Sequence, residues 1–136
     1  MKIEIMQDQA KAKSLLEMAK ITWQRLNEID KDKYPANTLT DYYDIVHKLL
    51  EALTSLEGIK FKGEGAHQEL IDYVCQKFDF GESNRVFLQE LRDYRNRISY
   101  EGFTIDQDYI KTNVKKIEEI IKRLMSLVAK FKTNLN

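Results

Sequence analysis

An all-α bundle of four to five antiparallel helices is the fold class this sequence predicts, and three observations predict it. Proline occurs once in 136 residues and glycine five times, so little in the chain breaks a helix. Apolar residues recur at steps of three and four through five separate stretches. No stretch alternates apolar and polar residues as a half-buried strand would, so no strand is expected.

The first helix is expected from about Gln7 to Ile29, with Leu15, Leu16, Ala19, Trp23 and Leu26 on one face. Asp30 to Asn37 is charged, contains Pro35 and reads as a loop, after which Thr38 can cap a second helix with Asp41 in its first turn. That second helix is the clearest of the five. Leu39, Tyr42, Tyr43, Val46, Leu49, Leu50, Leu53 and Leu56 follow helical steps, and Gly58 supplies the stop. Ile59 to Gly65 reads as a loop. A shorter helix from about Ala66 to Phe78 turns Leu70, Ile71, Val74 and Phe78 inward, and Asp79 to Ser83 makes a turn around Gly81. The fourth helix is expected from about Asn84 to Tyr100, with a narrow stripe of Phe87, Leu91, Tyr94 and Ile98, and Gly102 ends it. Thr104 and Gln107 offer a capping box to the next helix, with Asp106 as the competing N-cap. The last helix, from about Gln107 to Lys132, repeats Ile110, Val114, Ile117, Ile121, Leu124, Val128 and Phe131 in alternating steps of four and three. Such a heptad seam predicts packing at a small crossing angle. A seam of this kind serves either the same chain or a second copy, and the sequence leaves both open.

A chain of 136 residues fits one domain, spanning 1–136, and buries roughly two-thirds of the surface its unfolded form exposes. It needs no disulfide or metal staple. The one cysteine, Cys75, has no partner in the chain and suits a reducing compartment. Within a helical pattern it reads as a small buried side chain rather than a nucleophile. No apolar run is long enough to span a bilayer, and Met1 to Met6 lacks the apolar core of a signal peptide. The expected location is cytoplasmic, without membrane association.

Lys plus Arg and Asp plus Glu are both 22, which excludes a polyanion binder working by bulk charge. Arginine placement is more informative. Four of the six arginines, Arg85, Arg92, Arg95 and Arg97, fall within one window of thirteen residues. Guanidinium forks are the groups that hold phosphate or carboxylate in two-point fashion. The plainer alternative is a solvated helix face on which they pair with Glu82, Glu90, Asp93 and Glu101.

Within that window lies Arg95-Asn96-Arg97-Ile98-Ser99-Tyr100, preceded by Leu91-Arg92-Asp93-Tyr94. At about 100° per residue, Arg95 lies at the edge of the apolar stripe with Ser99 as its neighbour, while Asn96 and Tyr100 share another edge. Arg95 and Tyr100 are separated by about 140° and about 7.5 Å of rise, so one straight helix does not aim both at a single phosphate. Two copies meeting across a two-fold axis could each give one part of the set.

A late helix carrying Arg-Asn, three residues and then a polar ring, before a glycine and a final long helix, resembles the HEPN domain family (higher eukaryotes and prokaryotes nucleotide-binding). The resemblance runs from about Asp8 to Val128. It includes the helix end Leu53-Thr54-Ser55-Leu56-Glu57-Gly58 and the helix start Gly65-Ala66-His67-Gln68-Glu69-Leu70. It implies a HEPN-like helical bundle that forms a homodimer with the motif helices facing each other. It further implies a metal-independent endoribonuclease of the toxin type, commonly paired with a minimal nucleotidyltransferase, binding RNA or nucleotide and needing no cofactor. On this resemblance Arg95 and Asn96 take the arginine and asparagine positions, and Tyr100 stands where a catalytic histidine is usual; Arg92, Arg97 and Ser99 would assist binding. The exchange matters chemically. Imidazole titrates near 6.5 and phenol near 10, in round terms, so tyrosine is a poor base at neutral pH. The binding half of the site is therefore expected to be intact and the proton-transfer half degenerate.

His47 and His67 are expected to be structural or exposed, and no metal-ligand spacing is present. Gly63-Glu64-Gly65 follows no strand pattern and is too short for a phosphate loop. Tyr42 and Tyr43 read as core and boundary residues. Two further functional classes stand beside the ribonuclease: a non-catalytic module that binds nucleotide or protein through the same arginines, with Tyr100 as a conceivable adenylyl acceptor, and a plain adaptor bundle.

Overall fold

The five stretches with helical spacing form five helices, joined by a short two-stranded ribbon. A computed structural model describes the backbone of residues 1–135 and the side chains of residues 1–131. Along the chain the elements are β1 (Lys2–Glu4), α1 (Gln9–Asn27), α2 (Pro35–Glu57), β2 (Ile59–Phe61), α3 (Ala66–Lys77), α4 (Glu82–Glu101) and α5 (Gln107–Leu135). The architecture is an all-α helical bundle.

The central helix is α2, which packs against each of the other four. Its composition explains this. Leu39, Tyr42, Ile45, Val46, Leu49, Leu50, Ala52 and Leu53 are all fully buried, so more than one face is apolar. Ala12 and Ala19 of α1 are also fully buried, and their small side chains let α1 approach α2 closely. The heptad seam of α5 is consumed inside the chain. Ile110, Ile117, Ile121, Leu124 and Val128 are buried, and Val114 and Phe131 pack against the same core. That seam is accordingly not a free surface for a second copy.

Helix ends follow local chemistry. Asp8 caps α1 by accepting from the Lys11 backbone N–H at 2.9 Å. Asp106, not the Thr104–Gln107 pair, caps α5, accepting from the Tyr109 N–H at 3.2 Å. At the start of α2 the expectation needs correction. Pro35 does not lie in the loop but opens the helix, at a position where its missing N–H is not needed. Thr38 is then already inside the helix, and its hydroxyl donates to the Lys31 carbonyl at 2.7 Å instead of capping.

The expectation of no strand is also overturned. Lys2–Glu4 pairs antiparallel with Ile59–Phe61, with Ile3 opposite Lys60. Three residues are too few to display the alternation by which strands are recognised. Gly58 makes the ribbon possible. It ends α2 in the left-handed region (φ 75°) and its carbonyl accepts from the Ile5 N–H at 2.8 Å. A Cβ at this position would stand 2.7 Å from the Ile5 carbonyl oxygen, so only glycine admits the N-terminal segment here. The ribbon thus lies across the junction of α2 and α3. Among the described residues no helix is long and apolar enough to cross a membrane.

Candidate functional site

Where α2, α3 and α4 meet, the core gives way to a polar corner. Tyr43, Asp44, His47 and Glu51 follow one another along α2 at helical steps, so they line one side of it. His67 enters from the first turn of α3. Arg92 and Arg95 enter from α4, three residues apart and therefore on one face.

The contacts within this corner are specific. His47 Nε2 lies 2.6 Å from Glu51 Oε1. The His47 and His67 rings lie against each other with centroids 4.2 Å apart, and Tyr43 stacks on His47 at 6.1 Å. Arg95 Nη2 lies 3.6 Å from Asp44 Oδ1, longer than a good charge-assisted hydrogen bond. Arg92 Nε donates to Gln89 Oε1 at 2.8 Å, and Gln89 is itself anchored to the Gln68 carbonyl and to Asp72 of α3.

The corner is also polar beyond what its own partners satisfy. Among the described residues four buried side-chain polar atoms lack a hydrogen-bond partner. Three of them, Tyr43 Oη, His47 Nδ1 and Arg95 Nε, belong to this one place. An unsatisfied buried polar group costs roughly 1–3 kcal/mol, so three in one corner oppose folding rather than support it.

Electrostatics tune the same groups. Burial pushes the Tyr43 phenol up to about 12, against the opposing pull of Arg92 and Arg95. The hydrogen bond from His47 holds the Glu51 carboxyl below its ordinary range. Partial burial lowers the His67 imidazole; His47, Arg95 and Arg92 lower it further and Glu51 opposes them. His67 is therefore neutral at pH 7, with a ring nitrogen able to accept a proton or a hydrogen bond.

The residues singled out from the sequence are only partly gathered here. Arg92 and Arg95 face the corner, while Asn96 is half-buried on α4 with no contact to it that the structure shows among the described residues. Arg97 instead covers the Phe103 ring at 4.0 Å and pairs with Glu101 at 3.4 Å. Ser99 is exposed, and Tyr100 is 82% exposed at the far end of α4. Arg85 is bound to Asp72 and Glu82. Cys75 is 4% exposed, with burial pushing its thiol up to about 11, as suits a packed side chain rather than a nucleophile.

The histidines are what residue spacing passed over. They are twenty residues apart on different helices, and only the i,i+4 relation of His47 to Glu51 was legible. Among the described residues no three His, Cys, Asp or Glu side chains converge as a metal-ligand group. No family model, no curated protein and no solved structure matches the chain.

Proposed function

We propose that this chain is a HEPN-type helical protein that acts as a homodimer and holds a phosphate of RNA or of a nucleotide with Arg92 and Arg95. In this reading it is the toxin-like member of a pair whose other member is a nucleotidyltransferase. The observation that carries the reading is the unfilled hydrogen-bonding capacity of Arg95. Its Nε is buried without a partner, and its nearest carboxylate, Asp44, is held at 3.6 Å. A guanidinium so placed has donors left for an incoming phosphate oxygen. Arg92, a neutral His67 and the His47–Glu51 pair surround the same point, which adds positive charge and a proton acceptor.

Dimerisation fits the outer side of α4. Val86 and Tyr100 are exposed there, two heptads apart and so close to one line along the helix. A second protomer facing that line would bring its own Tyr100 toward the first, with Arg95 on the opposite side of each α4. Sedimentation at working concentration gives a dimer on this account, and a monomer removes it.

A second reading is favoured by Tyr100 itself. The phenol that replaces the expected histidine is 82% exposed and lies well away around the helix from Arg95, so the motif's own acid–base group is neither basic nor close. That favours binding without cleavage. Incubation of labelled RNA with the protein in a chelator separates the readings. Cleavage that Arg95→Ala abolishes supports the ribonuclease; binding that Arg95→Ala abolishes, without cleavage, supports the module; neither activity leaves an adaptor bundle. Cleavage that appears only with Tyr100→His identifies a degenerate catalytic site.

A further inference from the structure

On the far side of the histidine pair from the α2–α4 corner lies a cavity of about 150 Å³. It opens beneath the β1–β2 ribbon, between α2 and the start of α3, and its lining includes Lys11, Lys60, Lys62, His47 and His67. Among the described residues the only carboxylate lining it is Glu51, which His47 already engages at 2.6 Å. None of the three lysines forms an ion pair among the described residues. In a chain whose acidic and basic residues balance, three lysines around a single carboxylate make a local excess of positive charge. The volume is below the roughly 300 Å³ of a complete small-molecule site, so the cavity suits one group of a larger ligand.

His47 and His67 are shared between this cavity and the arginine corner. Two basic places therefore flank one pair of adjacent, mutually tilted rings, and the exposed ring of His67 offers a face to a base. We propose that the Lys11–Lys60–Lys62 cavity is a second phosphate subsite, and that the chain binds single-stranded RNA with one phosphate at Arg92 and Arg95 and a neighbouring one in the cavity. The inference rests on the reading of Arg92 and Arg95 as a phosphate site and extends it from one phosphate to a strand. A single-stranded ligand fits because the subsites lie on two sides of an aromatic pair, which a duplex cannot straddle with its bases stacked inside.

The test is binding of a fluorescein-labelled hexauridylate to the full chain by anisotropy, from 50 to 300 mM KCl. Two bound phosphates give a slope of log affinity against log salt near −1.4, at about 0.7 for each phosphate on a single strand. The K60Q/K62Q double variant is expected to lose about tenfold in affinity and to show a slope near −0.7. Uridine 5′-monophosphate, which has one phosphate, is expected to lose much less. Lys11→Gln, on α1 rather than on the ribbon, gives the same direction of change and guards against a ribbon that fails to form. Hexamer binding that keeps its affinity and slope in both lysine variants, yet is lost in Arg95→Ala, overturns the second subsite and leaves the first. Equal losses for hexamer and monophosphate also overturn it, because they indicate one site. A wild-type chain that binds no hexamer overturns the arginine reading as well.

Discussion

The α2–α5 seam and the α2–α4 corner share a helix and differ in almost everything else. Along the seam, Ile117, Ile121, Leu124 and Val128 meet Tyr42, Leu49 and other α2 residues of the same buried core, all of them apolar but for one hydroxyl. That hydroxyl, Tyr42 Oη, donates to Glu118 Oε2 at 3.1 Å, where Lys31 also pairs with the carboxylate. Among the described residues no buried side-chain polar atom of this seam lacks a partner. In the corner, Tyr43, one residue further along α2, is 2% exposed and its hydroxyl is unanswered. His47 and Arg95 each add another such atom. The seam is built for stability, whereas the corner gives some stability up. Polar groups held buried without internal partners are the usual mark of a place arranged for something that arrives from outside.

Substitutions break this comparison most sharply at the seam. Leu124→Ala removes a fully buried side chain and is expected to destabilise by about 2–5 kcal/mol, read from urea unfolding, with RNA affinity of the folded protein preserved. Arg95→Ala is expected to do the opposite. It should cost hexauridylate affinity at least about tenfold, roughly 1.4 kcal/mol, and change unfolding free energy by no more than about 0.5 kcal/mol. A large stability loss there would mean that the guanidinium is part of the scaffold. Tyr43→Phe deletes the buried hydroxyl without altering shape, and is expected to stabilise the chain by up to about 1 kcal/mol. A destabilised Tyr43→Phe would show that the hydroxyl has a partner after all.

The smallest effect is on pH dependence. The folded protein holds the His67 imidazole below its ordinary value. Between the folded and unfolded values the unfolded chain binds the extra proton, so stability falls as pH drops below about 6.5. Glu51, whose carboxyl is also held low, adds to the loss only at more acid pH, as the folded chain resists its protonation. His67→Gln is expected to flatten the first part of this profile between pH 7 and 5.5, and an unchanged profile would exclude His67 as its source.

Most of the fold was legible in the sequence because helices announce themselves by period. The α2 stripe, the α5 seam and the Gly58 stop all follow from spacing and from one left-handed residue. The β1–β2 ribbon was not legible, since its register depends on Gly58 admitting the N-terminal segment rather than on any pattern within the strands. For the site, the arginine window pointed to α4 and to Arg95. It gave no sign that Arg97 would turn to Phe103 or that Arg85 would be held by Asp72. The pairing of His47 with His67 is a property of how α3 docks on α2, and nothing local to either residue encodes it.

The central claim is that a phosphate comes to rest beside His67 and Arg95. Nuclear magnetic resonance of the histidine ring signals, followed through a pH titration with and without hexauridylate, reads this at the residue concerned. A bound anion favours the protonated imidazole, so the His67 midpoint is expected to start below the ordinary histidine value and to rise when RNA is added. A His67 midpoint that RNA leaves unmoved, while the RNA is demonstrably bound, would place the ligand elsewhere on the protein.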